Sequence, residues 1–590
     1  MLGTGTLLDP YVIQDVNDLQ NVQLDPLAYY ELGNDIDASA TAGWDGGRGF
    51  KPIQQAHQVR RPDADFAQAG VWTIFPADGI YHDKVSEVTQ DVDTTYVKYT
   101  TGVAGTLLFT FPAFNIPVGA VGISIFIRIC VRGDGTAGST KYNPYCVVNG
   151  TTYQPAGTAT DGGGMGANYH MMSVSIGTNP DTGAPWTVDD INGLGINPLQ
   201  ALGFRITQKD AWVTQVYFYV FFELPNTFTF DGKGHKITDL SINRPDYAGE
   251  SNWSGEGLYG EVGLFGNLNG MSVKNLTLEN ISIIGCFSTG AVAGMTIACG
   301  NSFENITVSG SVESTAGGGC GGLIGFCGVY GSTTDRVTFT DCHADVTIIG
   351  LDYNGGIIGW AYYCDLVRCD SAGIITSGEE QAGGMTGDFI DGTMFRCHSS
   401  MDINMTGGTV AHRSYAGGLC GSPWLIAAVA GVISQCWATG NITNGGKYIG
   451  GLYGYGEYYT INCYARGDVV GSSQVGGLIG EYDTDEIVNC YSTGQVTGGA
   501  DTGGLVGHDL GAIGATASFW DTVTSGTAVS ALGIGHITSW MKTKSNFTTA
   551  GWDFTTPIWY IVSTVNDGYP NLTGGVVIPI VVTLPATGVL

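Results

Sequence analysis

Residues 476–480 read GGLIG, and the same pattern of glycines around an apolar residue returns along the chain. Its other copies are GGLIG at 321–325, GGIIG at 355–359, GGMTG at 383–387, GGLCG at 417–421, GGLYG at 450–454 and GGLVG at 503–507. Recurrence of this kind is the sequence signature of a repeat architecture. The chain is therefore predicted to consist largely of stacked repeats.

A series of cysteines, out of phase with the glycines, sets the length of the repeat. Its members are Cys342, Cys369, Cys397, Cys436, Cys463 and Cys490. Their successive intervals are 27, 28, 39, 27 and 27 residues. A period that returns to 27 and tolerates one longer step predicts stacked coils, with the extra residues bulging out as a loop.

The composition of the repeats indicates strands rather than helices. Gly, Thr, Ser and β-branched residues interrupt any helical periodicity. Twenty-seven residues accommodate about three strands near the ~5-residue modal length. We predict an all-β fold, a right-handed parallel β-helix (β-solenoid) of about nine or ten coils at ~4.8 Å spacing, on the order of 45 Å in total.

The motif glycines are predicted to form corners, where the backbone needs a positive φ or a close approach. The predicted corner residues are Gly321, Gly325, Gly355, Gly359, Gly383, Gly387, Gly417, Gly421, Gly450, Gly454, Gly476, Gly480, Gly503 and Gly507. The apolar residue between them is expected to point into the core. The six cysteines are expected to form an inward ladder of buried thiols, because parallel side chains make disulfide geometry awkward. Cys130 and Cys146 lie elsewhere and could pair.

The repeats resemble the GLUG motif, named for a Gly-Leu-variable-Gly core and found in bacterial surface adhesins and in the non-catalytic part of some immunoglobulin A peptidases. GTLLDPYVIQDVNDLQ (5–20) and FTFDGKGHKITDLSI (228–242) look like the usual entry of such solenoids, and SFWD (518–521) and YPNL (569–572) look like their exit. The resemblance implies a surface protein. The motif itself builds a shaft and carries no chemistry.

One long segment departs from this pattern. Between GFKPI (49–53) and the FDGKGH strand lie aromatic β-prone runs such as VGISIFIRICV (121–131), separated by turn residues. Such runs predict an inserted antiparallel β-sandwich of jelly-roll kind. The expected organisation is a solenoid entry at 1–53, the insert at 54–226, the GLUG-repeat solenoid at 227–517, an exit or cap at 518–573 and an extended tail at 574–590.

The charge of the chain narrows the range of partners. Lys and Arg number 23 against 53 Asp and Glu, a net charge of −30. Such a surface repels phosphate backbones and anionic lipid, so no nucleic-acid partner is expected. Neither a secretory signal nor a run of 18 apolar residues is visible. LPATG at 584–588 looks like a sortase signal, but the membrane segment and basic tail are absent, which favours coincidence.

Catalytic and metal-binding signals are weak. No His is followed by Glu, which excludes the HExxH zinc site of the peptidases, and no cofactor is expected. A polysaccharide depolymerase would need paired carboxylates on one outer face. The candidates are Glu379 with Glu380, Asp388 with Asp391, and Asp483 and Asp485 with Glu486. All lie near motif corners, where solvated turn carboxylates are expected anyway.

Aromatic residues near the corners suggest a sugar-stacking strip, although sealing of coil edges is favoured. They are Trp360, Tyr362, Tyr363, Tyr458 and Tyr459. Trp72, Trp186 and Trp212 in the insert are open to the same two interpretations. His235 is expected to be a hydrogen-bonding turn residue rather than a ligand.

These observations favour a non-enzymatic structural and adhesive surface protein that contacts a cell-surface glycan. A bacteriophage tail fibre, spike or receptor-binding protein is the leading form, located on the virion or outside the cell. A cellular adhesin or extracellular filament or surface-layer subunit is the first alternative, and a depolymerase the second. The tail is expected to pair with another virion or filament subunit, which predicts a homo-oligomer.

Overall fold

The structure is a computed structural model. It describes residues 1–573 except 55–56, 61–63, 70–71, 76–95, 100–104, 112–115, 117–120, 134–140, 156–158, 161–169, 195–197, 208–210, 224–227, 246–259, 297–300, 329–335, 379, 408–413, 427–430 and 444. The predicted tail thus lies outside the described residues. The chain divides into two compact units, residues 1–365 and 366–590, and each is described by itself.

The first unit contains three parallel sheets, named 1A, 2A and 3A. Sheet 1A comprises Tyr11–Ile13, Tyr30–Leu32, Ile36–Asp37, Phe228–Asp231, Lys236–Thr238, Ser241–Asn243, Met271–Gly285, Ser302–Ser314, Val337–Thr340 and His343–Gly350. Sheet 2A comprises Glu261–Val262, Ser288–Gly290, Cys320–Gly321 and Asn354–Gly355. Sheet 3A comprises Ile53–Gln54, Phe265–Leu268, Ala293–Thr296, Ile324–Cys327 and Ile358–Tyr362.

The second unit repeats this arrangement in sheets 1B, 2B and 3B. Sheet 1B comprises Asp370–Ser377, Thr393–Phe395, His398–Ser399, Asp402–Met405, Val432–Ser434, Trp437–Ala438, Ile442–Thr443, Tyr459–Ile461, Tyr464–Ala465, Val469–Val470, Glu486–Val488, Tyr491–Ser492, Val496–Thr497, Gly514–Thr516, Phe519–Asp521 and Ile534–His536. Sheet 2B comprises Gln381–Gly383, Tyr415–Gly417, Lys447–Gly450, Ser473–Gly476 and Thr502–Gly503. Sheet 3B comprises Thr386–Ile390, Cys420–Trp424, Tyr453–Gly456, Ile479–Tyr482 and Val506–Asp509. The strand Cys364–Val367 spans the point where the chain divides.

Equivalent motif glycines lie opposite one another in neighbouring coils. Within sheet 2B, Gly417 is in register with Gly450, Gly450 with Gly476, and Gly476 with Gly503. Each coil contributes one strand to sheet 2B, turns through the motif, and continues into sheet 3B and then sheet 1B. This is the parallel β-solenoid that the sequence predicts.

The insert forms two six-stranded antiparallel sheets. Sandwich sheet I contains His57–Arg60, Trp72–Phe75, Tyr96–Tyr99, Val121–Gly133, His170–Ile176 and Ala211–Glu223. Sandwich sheet II contains Ala64–Ala69, Gly105–Thr110, Lys141–Val148, Thr151–Tyr153, Ala159–Thr160 and Leu199–Thr207. Alternate residues such as Ile125 of sheet I and Phe204 of sheet II share one buried core. The fold class is therefore confirmed, both for the solenoid and for the inserted β-sandwich.

Helices are few and short in the part of the chain that is described. The α-helices are Val16–Asn21, Val188–Ile191, Thr538–Met541 and Lys544–Thr549, and the 3-10 segments are Val22–Leu24, Ser39–Gly47 and Asn566–Gly568. None of these helices has the length and hydropathy that a membrane crossing requires.

Close backbone approach, and not positive φ, explains the motif glycines, all of which lie among the described residues. A Cβ on Gly476 would lie 1.8 Å from the Ile479 carbonyl oxygen, inside the same corner. A Cβ on Gly477 would lie 2.2 Å from the Gly504 oxygen in the following coil, and one on Gly480 would lie 2.5 Å from the Gly454 oxygen in the preceding coil. The glycines therefore let main chain contact main chain in two directions.

The residues after the last coil do not simply follow the stack. Strand Phe519–Asp521 pairs with Tyr491–Ser492 of sheet 1B, whereas the segment 538–573 packs on a row of aromatic rings along that sheet. Tyr464 and Tyr491 of this row stack with centroids 5.0 Å apart, and Trp559 covers them. The Trp559 indole N–H donates to Asn462 at 3.1 Å. The segment therefore lies across several coils of the second unit.

Replacing a motif glycine is expected to be strongly destabilising. In Gly321→Ala the new Cβ would lie 2.0 Å from the Ile324 carbonyl oxygen, so the corner has to open, at a cost of about 2–4 kcal/mol. Gly43→Ala is the control, since no atom outside its own 3-10 segment lies within 4 Å of its Cβ position. Urea unfolding of both variants measures the difference, and equal midpoints would contradict the close-approach account.

Candidate functional site

The six predicted ladder cysteines are all fully buried, Cys342 in the first unit and the other five in the second. In the second unit a residue with a left-handed backbone precedes the thiol in each coil, for example Gln435 (φ 54°), Asn462 (φ 54°) and Asn489 (φ 52°). Cys397, Cys436, Cys463 and Cys490 are free thiols. They therefore mark a second corner of the coil that the glycine pattern does not reveal.

Each of these thiols satisfies main-chain groups that the corner leaves without a strand partner. The Cys436 N–H donates to the Cys463 sulfur at 3.4 Å, and the Cys463 N–H donates to the Cys490 sulfur at 3.3 Å. The Cys463 thiol itself donates to the Ile461 carbonyl at 3.3 Å. In the coil after Cys490, Ser518 takes the place of the cysteine. Its hydroxyl accepts a hydrogen bond from the Cys490 N–H at 3.1 Å.

Burial makes these thiols unreactive. It raises the pKa of Cys397, Cys436 and Cys463 well above the usual thiol value. A thiol rather than a thiolate is a poor nucleophile and a poor metal ligand. In the described part of the chain no three His, Cys, Asp or Glu side chains converge where they could hold a metal ion. The ladder is therefore structural.

A second set of chemically useful side chains flanks the glycine motif. Two positions lie on either side of each corner: the residue two before the motif and the residue directly after it. We call the set of these positions the corner strip. In the first unit they are Gly319 with Phe326 and Tyr353 with Trp360. In the second unit they are Gln381 with Asp388, Tyr415 with Ser422, Tyr448 with Tyr455, Gln474 with Glu481, and Asp501 with His508.

Aromatic rings occupy the strip in both units. In the first, Tyr353 and Trp360 stack with centroids 4.4 Å apart and planes 7° apart. In the second, Tyr415 and Tyr448 stack at 4.9 Å, and Tyr455 stands at 75° to Tyr448 with the centroids 6.4 Å apart. All three tyrosines of the second unit are half-buried. Their ring positions are fixed by their neighbours while part of each ring is solvent-accessible.

Polar groups continue the strip beyond the tyrosines. Tyr455 is in register with Glu481, and Glu481 is in register with His508. The Glu481 carboxylate contacts the His508 ring nitrogen Nδ1 at 2.8 Å. The Tyr455 hydroxyl donates to Glu457 at 3.1 Å. Burial, followed by the charge of Glu457, raises the pKa of Tyr455, so the phenol stays protonated.

In the second unit, Asp388 lies at the opposite end of the strip from His508. Its side chain is only 2% exposed. Its carboxylate accepts hydrogen bonds from the Trp424 indole at 3.0 Å and from the Phe389 N–H at 3.2 Å. Burial raises the pKa of Asp388 to about 7, against the opposing effect of these two bonds. Asp391 is equally buried and accepts from the Ile426 N–H. The expectation that this pair consists of solvated turn carboxylates is wrong.

The other candidate carboxylates are spread along different elements. Glu380 is exposed and Glu379 lies outside the described residues. Asp483, Asp485 and Glu486 lie in the turn between sheets 3B and 1B and the strand after it, and burial raises the pKa of Asp485.

The five aromatic residues considered from the sequence divide into two groups. Tyr362, Tyr363 and Tyr458 are buried, and the Tyr458 hydroxyl donates to the Phe389 carbonyl. These three seal the coil, as the favoured interpretation has it. Trp360 and Tyr459 are half-buried. The sequence reasoning missed Tyr415, Tyr448 and Tyr455, although their fixed offset from each motif could have identified them.

The remaining single residues have structural surroundings. His235 contacts Asp35 through Nδ1 at 3.1 Å. In the insert, Trp186 is buried and its indole donates to the Ile176 carbonyl, while the side chains of Trp72 and Trp212 lie outside the described residues. Cys146 is a buried free thiol, and the side chain of Cys130 lies outside the described residues.

The fold and these ladders define a repeat protein of the parallel β-solenoid class. The GLUG motif matches residues 471–497, the coil that contains Gly476 and Cys490. This match confirms the resemblance seen in the repeats: the chain is a GLUG-repeat protein.

One curated relative is Halomucin from Haloquadratum walsbyi (strain DSM 16790 / HBSQ001), 31% identical over 171 residues. The match covers 26% of this chain and only 2% of the length of Halomucin. The chain therefore corresponds to a small part of that protein.

Two solved structures show weak likeness. The family 11 carbohydrate-binding module from Clostridium thermocellum, in complex with a β-1,3-1,4-mixed-linked tetrasaccharide, is 9% identical and covers 28% of this chain and 88% of its own, with a TM-score of 0.16. The catalytic unit of the GH87 α-1,3-glucanase from Streptomyces thermodiastaticus strain HF3-3 is 10% identical and covers 76% of this chain and 93% of its own, also with a TM-score of 0.16. At these TM-scores neither likeness bears on function.

The corner thiol can be tested by exchanging its sulfur. Cys463→Ala removes both the acceptor for the Cys436 N–H and the donor to Ile461, and is expected to cost about 1–3 kcal/mol of unfolding free energy. Cys463→Ser is the matched variant and is expected to lose less, because Ser518 already makes the same two bonds with a hydroxyl. Equal losses in urea unfolding would contradict this role.

The buried carboxyl group predicts a dependence of stability on pH. Because the folded-state pKa of Asp388 is raised above the unfolded value, the folded protein holds this proton more tightly, and its stability falls as pH rises from about 4 to about 7. Asp388→Asn, which has no such proton, is expected to remove up to about 4 kcal/mol of that loss. Ser422→Ala, the non-titrating neighbour, is expected to retain it. Urea unfolding at pH 4.5, 6 and 7.5 measures this, and parallel profiles of Asp388→Asn and the unsubstituted protein would contradict it.

Proposed function

We propose that this chain is a non-enzymatic structural and adhesive surface protein that binds glycan chains along the corner strip of its second unit. The observation that carries the proposal is the row of half-buried tyrosines, Tyr415, Tyr448 and Tyr455, followed in register by Glu481 and His508. The GLUG repeats and the similarity to Halomucin support a surface or extracellular location.

The strip offers what a sugar ring needs from a protein. A sugar has an apolar C–H face, which stacks on an aromatic ring, and hydroxyl edges, which bond to carboxylate and imidazole groups. Stacking of Tyr448 on Tyr415 fixes the ring before a ligand arrives, so little side-chain entropy is lost on binding. Glu457 accepts a hydrogen bond from Tyr455, and His508 lies two coils further along the strip; both carry groups suited to sugar hydroxyls.

The negative charge of the protein favours some classes of glycan over others. The chain carries a net charge of −30, and two carboxylates lie beside Tyr455: Glu457, which accepts a hydrogen bond from its hydroxyl, and the strip residue Glu481. Long-range repulsion disfavours anionic polysaccharides as it disfavours nucleic acid. The proposed ligand is therefore a neutral or amino-sugar-containing glycan.

A polysaccharide depolymerase is the second candidate, favoured by one observation. Asp388 has its pKa raised to about 7, which is the state of a general acid. However, the strip carboxylate that follows in register, Glu481, is three coils further along, which corresponds to about 14 Å at ~4.8 Å per coil. Glycosidases place their two carboxyl groups about 5–9.5 Å apart. This spacing argues against Asp388 and Glu481 as a catalytic pair. Asp388 and Asp391, the pair considered from the sequence, are each only 2% exposed, which disfavours access of a polysaccharide to them.

The narrower assignments remain predictions. A bacteriophage tail fibre, spike or receptor-binding protein is the leading form, with a cellular adhesin or an extracellular filament or surface-layer subunit as the alternative. Immunogold labelling of virions and cells separates the two.

A glycan microarray tests the binding site directly. Tyr455→Ala is expected to weaken binding to the preferred glycan about tenfold, since one stacked ring contributes about 1 kcal/mol or more. Tyr459→Ala is the matched control, because this half-buried tyrosine lies on sheet 1B and not on the strip. Equal losses in the two variants, or binding to no glycan, would contradict the proposal.

A reducing-sugar assay on any bound polysaccharide separates the two candidate functions. Binding without sugar release is expected. Sugar release that is abolished in Asp388→Asn would instead establish the depolymerase.

A further inference from the structure

Two cysteines outside the corner ladder face each other in the first unit. The sulfur atoms of Cys327 and Cys364 are 3.2 Å apart, and both side chains are fully buried. Neither belongs to the series that repeats at 27 residues. Their nearest other polar contacts are the Thr296 hydroxyl, which donates to the Cys327 sulfur at 3.2 Å, and the Tyr362 carbonyl, 3.2 Å from the Cys364 sulfur.

The fold brings this pair together from neighbouring coils. Cys327 ends the sheet 3A strand Ile324–Cys327, and its register partner in the following coil is Ala361. The chain then turns through Tyr363, which has a left-handed backbone (φ 52°), and this turn returns Cys364 to the side of Cys327.

The arrangement differs from that of the ladder thiols. In the second unit a ladder sulfur accepts a main-chain N–H from the neighbouring cysteine, as the Cys463 sulfur does from Cys436 at 3.4 Å. In the first unit the contact is instead between two sulfur atoms, those of Cys327 and Cys364. Cys327 and Cys364 thus have the approach that a covalent link needs.

We propose that Cys327 and Cys364 form a disulfide that joins two neighbouring coils of the first unit. A disulfide has an S–S length of about 2.05 Å, so side-chain rotation has to close a gap of roughly 1.2 Å. Both S–H bonds are lost, one S–S bond forms and two protons are released. The two electrons and the two protons pass to a disulfide oxidant such as oxidised glutathione, which becomes two thiols. A surface or extracellular location supplies oxidising conditions.

The link forms while the chain folds rather than afterwards. Burial, and then the hydrogen bond with Cys327, raise the pKa of the Cys364 thiol in the folded protein. The thiolate is the attacking species in disulfide exchange, so a buried protonated thiol reacts slowly. The reaction is therefore expected during refolding and not in the native protein.

The disulfide would enclose one complete coil. Between the two cysteines lie the strands Val337–Thr340 and His343–Gly350 of sheet 1A, Asn354–Gly355 of sheet 2A and Ile358–Tyr362 of sheet 3A. Linking the ends of this coil removes conformational freedom from the unfolded chain. The oxidised protein is therefore expected to unfold at a higher denaturant concentration than the reduced protein.

Refolding in a defined redox buffer tests the proposal on the full chain. The protein is unfolded in guanidinium with dithiothreitol, refolded with reduced and oxidised glutathione, quenched in acid and blocked with N-ethylmaleimide. Mass spectrometry after digestion without reduction is expected to find Cys327 linked to Cys364, with a mass two hydrogen atoms below the sum of the two peptides. Cys436 and Cys463, the control pair, are expected to carry N-ethylmaleimide.

N-ethylmaleimide on both Cys327 and Cys364 after refolding would overturn the proposal and leave the pair as an S–H···S contact. Cys364→Ser supplies a second readout. Dithiothreitol is expected to lower the unfolding midpoint of the unsubstituted protein and to leave that of Cys364→Ser unchanged, whereas equal shifts would also overturn it. Neither measurement uses a glycan, so failure here is separate from failure of the proposed function.

Discussion

The rest of the structure depends on direct contact between main chains at the glycine corners. At the second glycine of the motif, the backbone of one coil lies so close to the carbonyl of the following coil that no Cβ fits, as at Gly477 and Gly504. This contact is local and directional, and it recurs at Gly322, Gly384, Gly418, Gly451 and Gly477. It fixes the register of sheet 2B, and through the connecting corner it fixes the register of sheet 3B as well.

Because the register is fixed, residues at the same offset from each motif lie next to one another in neighbouring coils. Because Tyr455, Glu481 and His508 each follow a motif directly, they come to lie in one row, although their side chains differ in chemistry. The strip is thus a by-product of the repeat, and its chemistry can change from coil to coil without altering the stack. This separates the shaft, which glycine specifies, from the surface, which the flanking residues specify.

The sequence predicts the features that share a residue pattern between coils, and it does not predict those that unlike residues adopt or that depend on a single contact. The period, the strand content, the buried apolar residue of each motif and the inserted sandwich all follow from local patterns. The left-handed corner does not, because residues of different types, such as Arg396, Gln435 and Asn462, adopt it. Burial of Asp388 depends on Trp424, which a neighbouring coil supplies. The approach of Cys327 to Cys364 likewise depends on how one particular corner turns.

The segment 538–573 has a mechanical consequence. It is fastened to Asn462 through Trp559, to Tyr491 through Pro570 and to Arg466 through Asp567. A pull applied at residue 573 would act on these attachments before it reached the strands of sheet 1B. Tension that enters the second unit from this end therefore meets side-chain contacts with more than one coil.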